Sequence, residues 1–358
     1  MHGGENMRRI SEMNPHERHK AMAECMQRSL TRDAFDKIVA VEAKIHRIKL
    51  SGEKIKGQKM QGLYDYDSFK KIFPKAGFNS EFVPDDRMPN YNVQLTVDMD
   101  MYKLNIFTYR NKGCCPPFCL DVTPKECVSL SDFYNSLIKL NNLIPNMCVS
   151  SVENTIDIYC DTPADVEWLF WLLRRAVFIP YAKDATQNSI DTAEWNDKLR
   201  LSMFQHYGGD TKIYPRGNDC DKKKGKGWPL DTFNRVRLEY TPDRRMLLNK
   251  FNIDKLSDFL RDCKFQDING MNYNFRRFEG SGNYPEYYED DWSNYSAEDK
   301  NGNTGAFQNE YILRSVMPET KNNYRKYVVD IEDFEPLKEK LINAMKILDL
   351  EWGVLSII

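Results

Sequence analysis

The chain has 358 residues, a formal net charge of −2, and 41 % hydrophobic, 29 % charged and 12 % aromatic residues. Its aromatic content excludes a chiefly disordered chain, and its near-neutral charge leaves any nucleic-acid surface to local basic patches. No apolar run approaches the roughly 18–20 residues of a membrane helix, and "MHGGENMRRISEMNPHERHK" has no apolar secretory core, so a cytoplasmic protein is expected.

In chain order, residues 14–50 read as helical. Asn14 suits an N-cap and Pro15 the first helical position. Met22, Cys25, Met26 and Leu30, then Ile38, Val41, Ile45 and Ile48, recur at three- and four-residue steps, and Ser51-Gly52 marks a stop. This predicts an N-terminal helical arm over residues 1–52, suited to dimerisation or to touching DNA.

Residues 53–90 read as loop-rich. "YNVQLTVDMD" (91–100) alternates, with Val93, Leu95 and Val97 opposite Gln94, Thr96 and Asp98. "YKLNIFTYR" (102–110) alternates again, which predicts a hairpin, and "FCLDVTP" (118–124) reads as a third strand. Residues 129–144 form an amphipathic helical pattern with Phe133, Leu137, Leu140 and Ile144 on one side. Residues 150–161 read as a strand and 163–177 as a buried apolar helix. Residues 192–207 read as a helix, or a helix followed by a strand.

"DTKIYPRGND" (210–219) and "NRVRLEY" (234–240) read as strands, and 252–263 as a short capped helix. Residues 266–325, rich in Asn, Tyr and Gly, read as a long functional loop or small subdomain, and 330–350 as a final amphipathic helix. Strand pairs with helices laid between them indicate an α+β fold, one antiparallel sheet backed by helices. The expected division is an arm over 1–52, an α+β domain over 53–265, and the polar loop with its helix over 266–358.

The chain lacks the P-loop pattern, the G-x-G-x-x-G dinucleotide fingerprint and the G-x-S-x-G elbow. Nine cysteines, an odd number in a chain with no secretory signal, predict free thiols. Cys115-x₃-Cys119, with Cys114 and Cys127 nearby, is an incomplete zinc pattern and reads as buried small residues. His16 and His19 lack zincin spacing and read as solvated.

The remaining chemistry lies on strands. Asp157, between Ile156 and Ile158, projects opposite them; Arg237 and Glu239 share one strand face; Lys212 and Tyr214 share another. Convergent carboxylates bind a divalent cation through oxygen, such a cation polarises a phosphodiester, a tyrosine attacks as a covalent nucleophile, and arginines hold phosphate. The same pattern also fits a half-exposed sheet with ordinary cross-strand ion pairs, for example Arg237 with a neighbouring carboxylate.

A strand "KIYPRG" (212–217), a charged gap, then "VRLE" (236–239), basic residues and a small helix resembles the rolling-circle replication initiators. The likeness is to the plasmid and integrative-element initiators and relaxases lacking a His-hydrophobic-His motif, and to their filamentous-phage relatives. "SVENTIDIY" (151–159) is a loose counterpart of their acidic strand, and the resemblance spans roughly residues 90–265.

The resemblance implies a ferredoxin-like, RRM-like antiparallel sheet and Mg²⁺- or Mn²⁺-dependent nicking of one DNA strand. It implies Tyr214 as first-choice nucleophile and Tyr240 as second, with Asp157, Glu239 and Glu153 as metal ligands. Lys212, Arg216, Arg237, Arg244 and Arg245 would face DNA, and His206 is the histidine expected near the site. The rival expectations are a non-catalytic DNA-binding protein and a structural protein that forms homodimers through its N-terminal helices.

Overall fold

The computed structural model describes residues 28–52, 66–73, 78–82, 91–110, 115–126, 128–176, 188–189, 192–195, 198–201, 203–206, 209–217, 234–242, 244–268, 276–278, 328–330 and 334–357. The elements begin with α1 (Arg28–Asp36), β1 (Ile38–Ser51), α2 (Tyr66–Ile72), β2 (Phe78–Phe82), β3 (Tyr91–Asp98), β4 (Tyr102–Arg110) and β5 (Cys119–Pro124). Next come α3 (Leu130–Leu143), β6 (Cys148–Cys160), α4 (Pro163–Ala176), β7 (Asn188–Ser189), β8 (Thr192–Trp195), β9 (Lys198–Leu201), β10 (Met203–His206) and β11 (Gly209–Pro215). The last are β12 (Arg235–Pro242), α5 (Arg244–Phe251), α6 (Leu256–Asp262), α7 (Phe265–Ile268), β13 (Arg276–Phe278), β14 (Val328–Asp330) and α8 (Glu335–Ile357). The fold is α+β, with an antiparallel sheet and helices. No described helix is long and apolar enough to cross a membrane.

The chain divides into two compact units. The first holds Met1–Ala43, Thr155–Tyr240 and Met271–Met345; the second holds Lys44–Asn154, Thr241–Gly270 and Lys346–Ile358.

In the second unit, β2, β3, β4, β5 and β1 are successive antiparallel neighbours. The expected alternation of β3 and β4 decides their register, with Leu95 opposite Ile106 and Thr96 opposite Asn105. Leu95, Val97, Leu104, Ile106, Leu120, Val122, Ile48 and Leu50 are fully buried on one face. The other face carries a polar row in which Thr96, Asn105, Asp121 and Lys49 are successive register partners.

Ser129 caps α3 by accepting from Asp132 N at 3.1 Å. Trp352 of α8 stacks edge-on against Tyr134 and Phe265, with ring centroids 4.8 and 5.3 Å apart, a favourable aromatic geometry. Asp349 caps α7 by accepting from the backbone N–H groups of Phe265 and Gln266.

In the first unit the strand order is β1, β6, β12, β11, β10, β7. Helix α4 packs on β11 and α1. A reciprocal cap starts it: Asp165 N donates to Thr162 Oγ1 at 3.2 Å and Thr162 N to Asp165 Oδ2 at 3.0 Å, the capping-box arrangement. Val166, Leu169, Phe170, Leu172 and Leu173 of α4 are buried, as its apolar pattern predicts.

Two element assignments are corrected. Residues 38–51 are a strand, not the continuation of a helical arm. The run is rich in β-branched Ile and Val, which fit a pleated surface. At its end buried Ile48 and Leu50 alternate with Arg47 and Lys49 while pairing with β5. Residues 192–206 contain no helix among the described residues: β8 pairs with β9, and β10 with β11. Leu199, Leu201 and Met203 alternate there, which is the strand period. Residues 1–27, and most of the polar tract 266–325, lie outside the described residues.

Candidate functional site

Tyr214 and Glu239 meet. Tyr214 stands near the end of β11, Glu239 near the centre of β12, and the phenol O–H donates to Glu239 Oε1. Glu239 is buried, while Tyr214 is half-buried and so the member of the pair that reaches solvent. Burial, then the Glu239 charge, pushes the Tyr214 phenol far above its usual value of 10.0; the charges of Arg237 and Arg216 act in the opposite direction. The phenol is therefore a neutral donor across the ordinary pH range.

Asp157 lies in a two-arginine clamp. Arg237 Nε donates to Oδ1 at 2.6 Å and Arg237 Nη2 to Oδ2 at 2.7 Å, a bidentate fork; Arg235 Nη1 donates to Oδ2 at 3.0 Å. Asp157 is completely buried, and Arg235 and Arg237 are each 2 % exposed. Burial opposes the Arg237 charge, but the hydrogen bonds and charge of Asp157 outweigh it and hold the guanidinium protonated, helped by the Glu239 charge. Arg237 thus joins the clamp to the Tyr214–Glu239 pair.

Arg235, which the sequence reading did not single out, also donates to Tyr159 Oη at 3.0 Å and lies 5.6 Å from that ring's centroid. Its signal is in the alternation: Arg235, Arg237 and Glu239 are spaced by two on β12. Among the described residues of this unit, three arginines, Arg216, Arg235 and Arg237, stand buried with four carboxylates, Asp157, Asp165, Glu167 and Glu239.

In the second unit Glu153 is ion-paired with Arg47, lies 3.6 Å from His46 Nε2, and accepts from Thr241 Oγ1 at 3.5 Å. His46 is therefore a histidine at an acidic group that the sequence reading missed; a helical reading of residues 38–50 concealed it. His206, the expected one, stands opposite Asp210 in the β10–β11 register.

The other expected residues are placed as follows. Tyr240 is 3 % exposed and follows Glu239 on β12, so it projects to the opposite strand face with Val236 and Leu238. Arg216 is 5 % exposed, just beyond β11. Arg244 donates to Val149 O at 2.7 Å and pairs with Asp254, a tie that fixes the start of α5; Arg245 is exposed on the same helix. Lys212 lies on β11 opposite Phe204 of β10. Cys115 and Cys119 are buried, and burial pushes the Cys119 thiol up to about 12; Cys114, Cys127, His16 and His19 lie outside the described residues.

No family model and no curated protein matches the chain. Among solved structures, a rolling circle replication initiator protein from Geobacillus stearothermophilus aligns at 9 % identity with a TM-score of 0.36, covering 70 % of this chain and 97 % of that one.

Proposed function

We propose that this chain is a replication-initiator-like protein that nicks one DNA strand through Tyr214. The observation that carries the reading is the Tyr214–Glu239 hydrogen bond beside Arg237 and Arg216. A half-buried phenol donating to a carboxylate is positioned as a nucleophile with its proton acceptor in place. The neighbouring guanidiniums suit a phosphate anion.

In the proposed step the Tyr214 oxygen bonds to phosphorus while the phenol proton passes to Glu239. The bond from phosphorus to the 3′ oxygen breaks, and that oxygen takes a proton from water. The products are a 5′-phosphotyrosyl protein and a free 3′ hydroxyl. A divalent cation, Mg²⁺ or Mn²⁺, would supply charge neutralisation at the phosphate. In the first unit Glu239, and in the second Glu153 beside His46, each have ligand chemistry suited to such a cation. Asp157 fits less well than its sequence position suggests, because guanidinium groups take both of its oxygens.

The raised phenol favours a second reading, a non-catalytic DNA-binding protein in which Tyr214 simply satisfies Glu239. Incubating the protein and Mn²⁺ with a supercoiled plasmid carrying the DNA that flanks its own gene separates the two. Nicked circles that disappear in Tyr214→Phe support cleavage. Salt-sensitive binding without nicking supports the second reading.

A further inference from the structure

We infer that the outer face of α8 pairs two copies of this chain in parallel. Four of the ten exposed large hydrophobic side chains among the described residues lie on one stripe of this helix. They are Ile347 (56 % exposed), Leu350 (70 %), Val354 (60 %) and Ile357 (86 %). The steps between them are three, four and three residues, the seam of a coiled coil. The opposite side of the same turns, Leu348 and Trp352, is buried in the second unit, so the helix already has its own core contact and the stripe is a second apolar face. A groove of about 840 Å³ borders the stripe, lined by Arg261, Lys264, Lys346, Asp349, Leu350 and Val354 among others.

The occupant follows from residue type and charge. Taking Ile347 and Val354 as the first seam position puts β-branched residues there, with Leu350 and Ile357 at the second; β-branched residues around the central Leu350 are the combination that favours two parallel strands. That register places exposed Lys346 and Glu351 on the two flanks of the seam, five residues apart. In a parallel pair, Lys346 of each copy then faces Glu351 of the other, giving two symmetric ion pairs. In an antiparallel pair centred on the stripe, like flanks meet, so Glu351 would face Glu351 of the other copy and find no cation. The pairing is independent of the chemistry proposed for Tyr214.

The test is sedimentation equilibrium of the full chain across a concentration series. A dimer is expected, lost in Leu350→Asp, an exposed position where circular dichroism should show the fold intact. Lys346→Glu should weaken the dimer about tenfold, as two attractive pairs become repulsive. Adding Glu351→Lys to Lys346→Glu should restore it. In a parallel pair Leu350 meets its own copy, so Leu350→Cys should give a disulfide-linked dimer under a mild oxidant that the parent chain does not give. A monomer at every concentration overturns the proposal, as does a dimer indifferent to Leu350→Asp. Failure of the double charge swap to restore association, or of Leu350→Cys to cross-link, overturns the parallel register.

Discussion

Arg237 holds Asp157 by both carboxylate oxygens, at 2.6 and 2.7 Å, in a buried part of the first unit. Neither group can lose the other cheaply. Removing one partner leaves a buried charge, which costs about 3–5 kcal/mol. Asp157→Ala is therefore expected to lower the denaturant midpoint by that equivalent or to abolish soluble expression. Asp157→Asn, which keeps an acceptor for the guanidinium, should lose less. Equal stability of Asp157→Ala and the parent would contradict the clamp.

Tyr214 supplies a pH-dependent signature. Its folded-state value lies above the unfolded one, so the stability it contributes is present below about pH 10 and lost as pH rises past it. The parent should lose stability above that pH more steeply than Tyr214→Phe. At neutral pH that variant leaves Glu239 without the phenol donor and should cost about 1–3 kcal/mol.

The polar row of the second unit gives an opposite handle. Burial raises the Asp121 carboxyl from its ordinary 3.8, against the lowering effect of Arg47 and Lys49. A carboxyl raised in the folded state costs stability as pH rises through the window just above 3.8. Asp121→Asn should therefore gain on the parent between acid and neutral pH in a urea series. A constant difference across that range would show that the shift is not felt.

How far the fold was legible depended on period. The β3–β4 hairpin was readable because Leu95 and Val97 alternate cleanly with Thr96 and Asp98, and the structure keeps that register. Residues 38–51 were not, because Ile38, Val41, Ile45 and Ile48 satisfy a helical spacing by accident, and pairing with neighbouring strands decides for a strand. The site was half legible. Alternation placed Arg237 and Glu239 on one strand face, but not which carboxylate Arg237 would take. Strand order settles that, and a short local pattern does not encode it.

Close approach of backbone to side chain explains Gly52. It donates to Phe118 O at 3.1 Å, and a Cβ there would stand 2.6 Å from Phe118 Cε1 and 2.8 Å from Pro117 Cγ. Gly52→Ala should cost about 1–3 kcal/mol, the usual range for overpacking. Gly353→Ala meets open space in α8 and should stabilise by about 1 kcal/mol through helix propensity. Thermal unfolding of the two variants should move in opposite directions.

The most direct measurement of the central claim is a search for the covalent product. The protein is incubated with Mn²⁺ and DNA flanking its own gene, denatured, digested with protease and nuclease, and analysed by mass spectrometry. The account predicts a nucleotide linked to the peptide containing Tyr214, present with Tyr240→Phe and missing with Tyr214→Phe. A linkage at Tyr240, or nicked DNA with no protein attached, would contradict it.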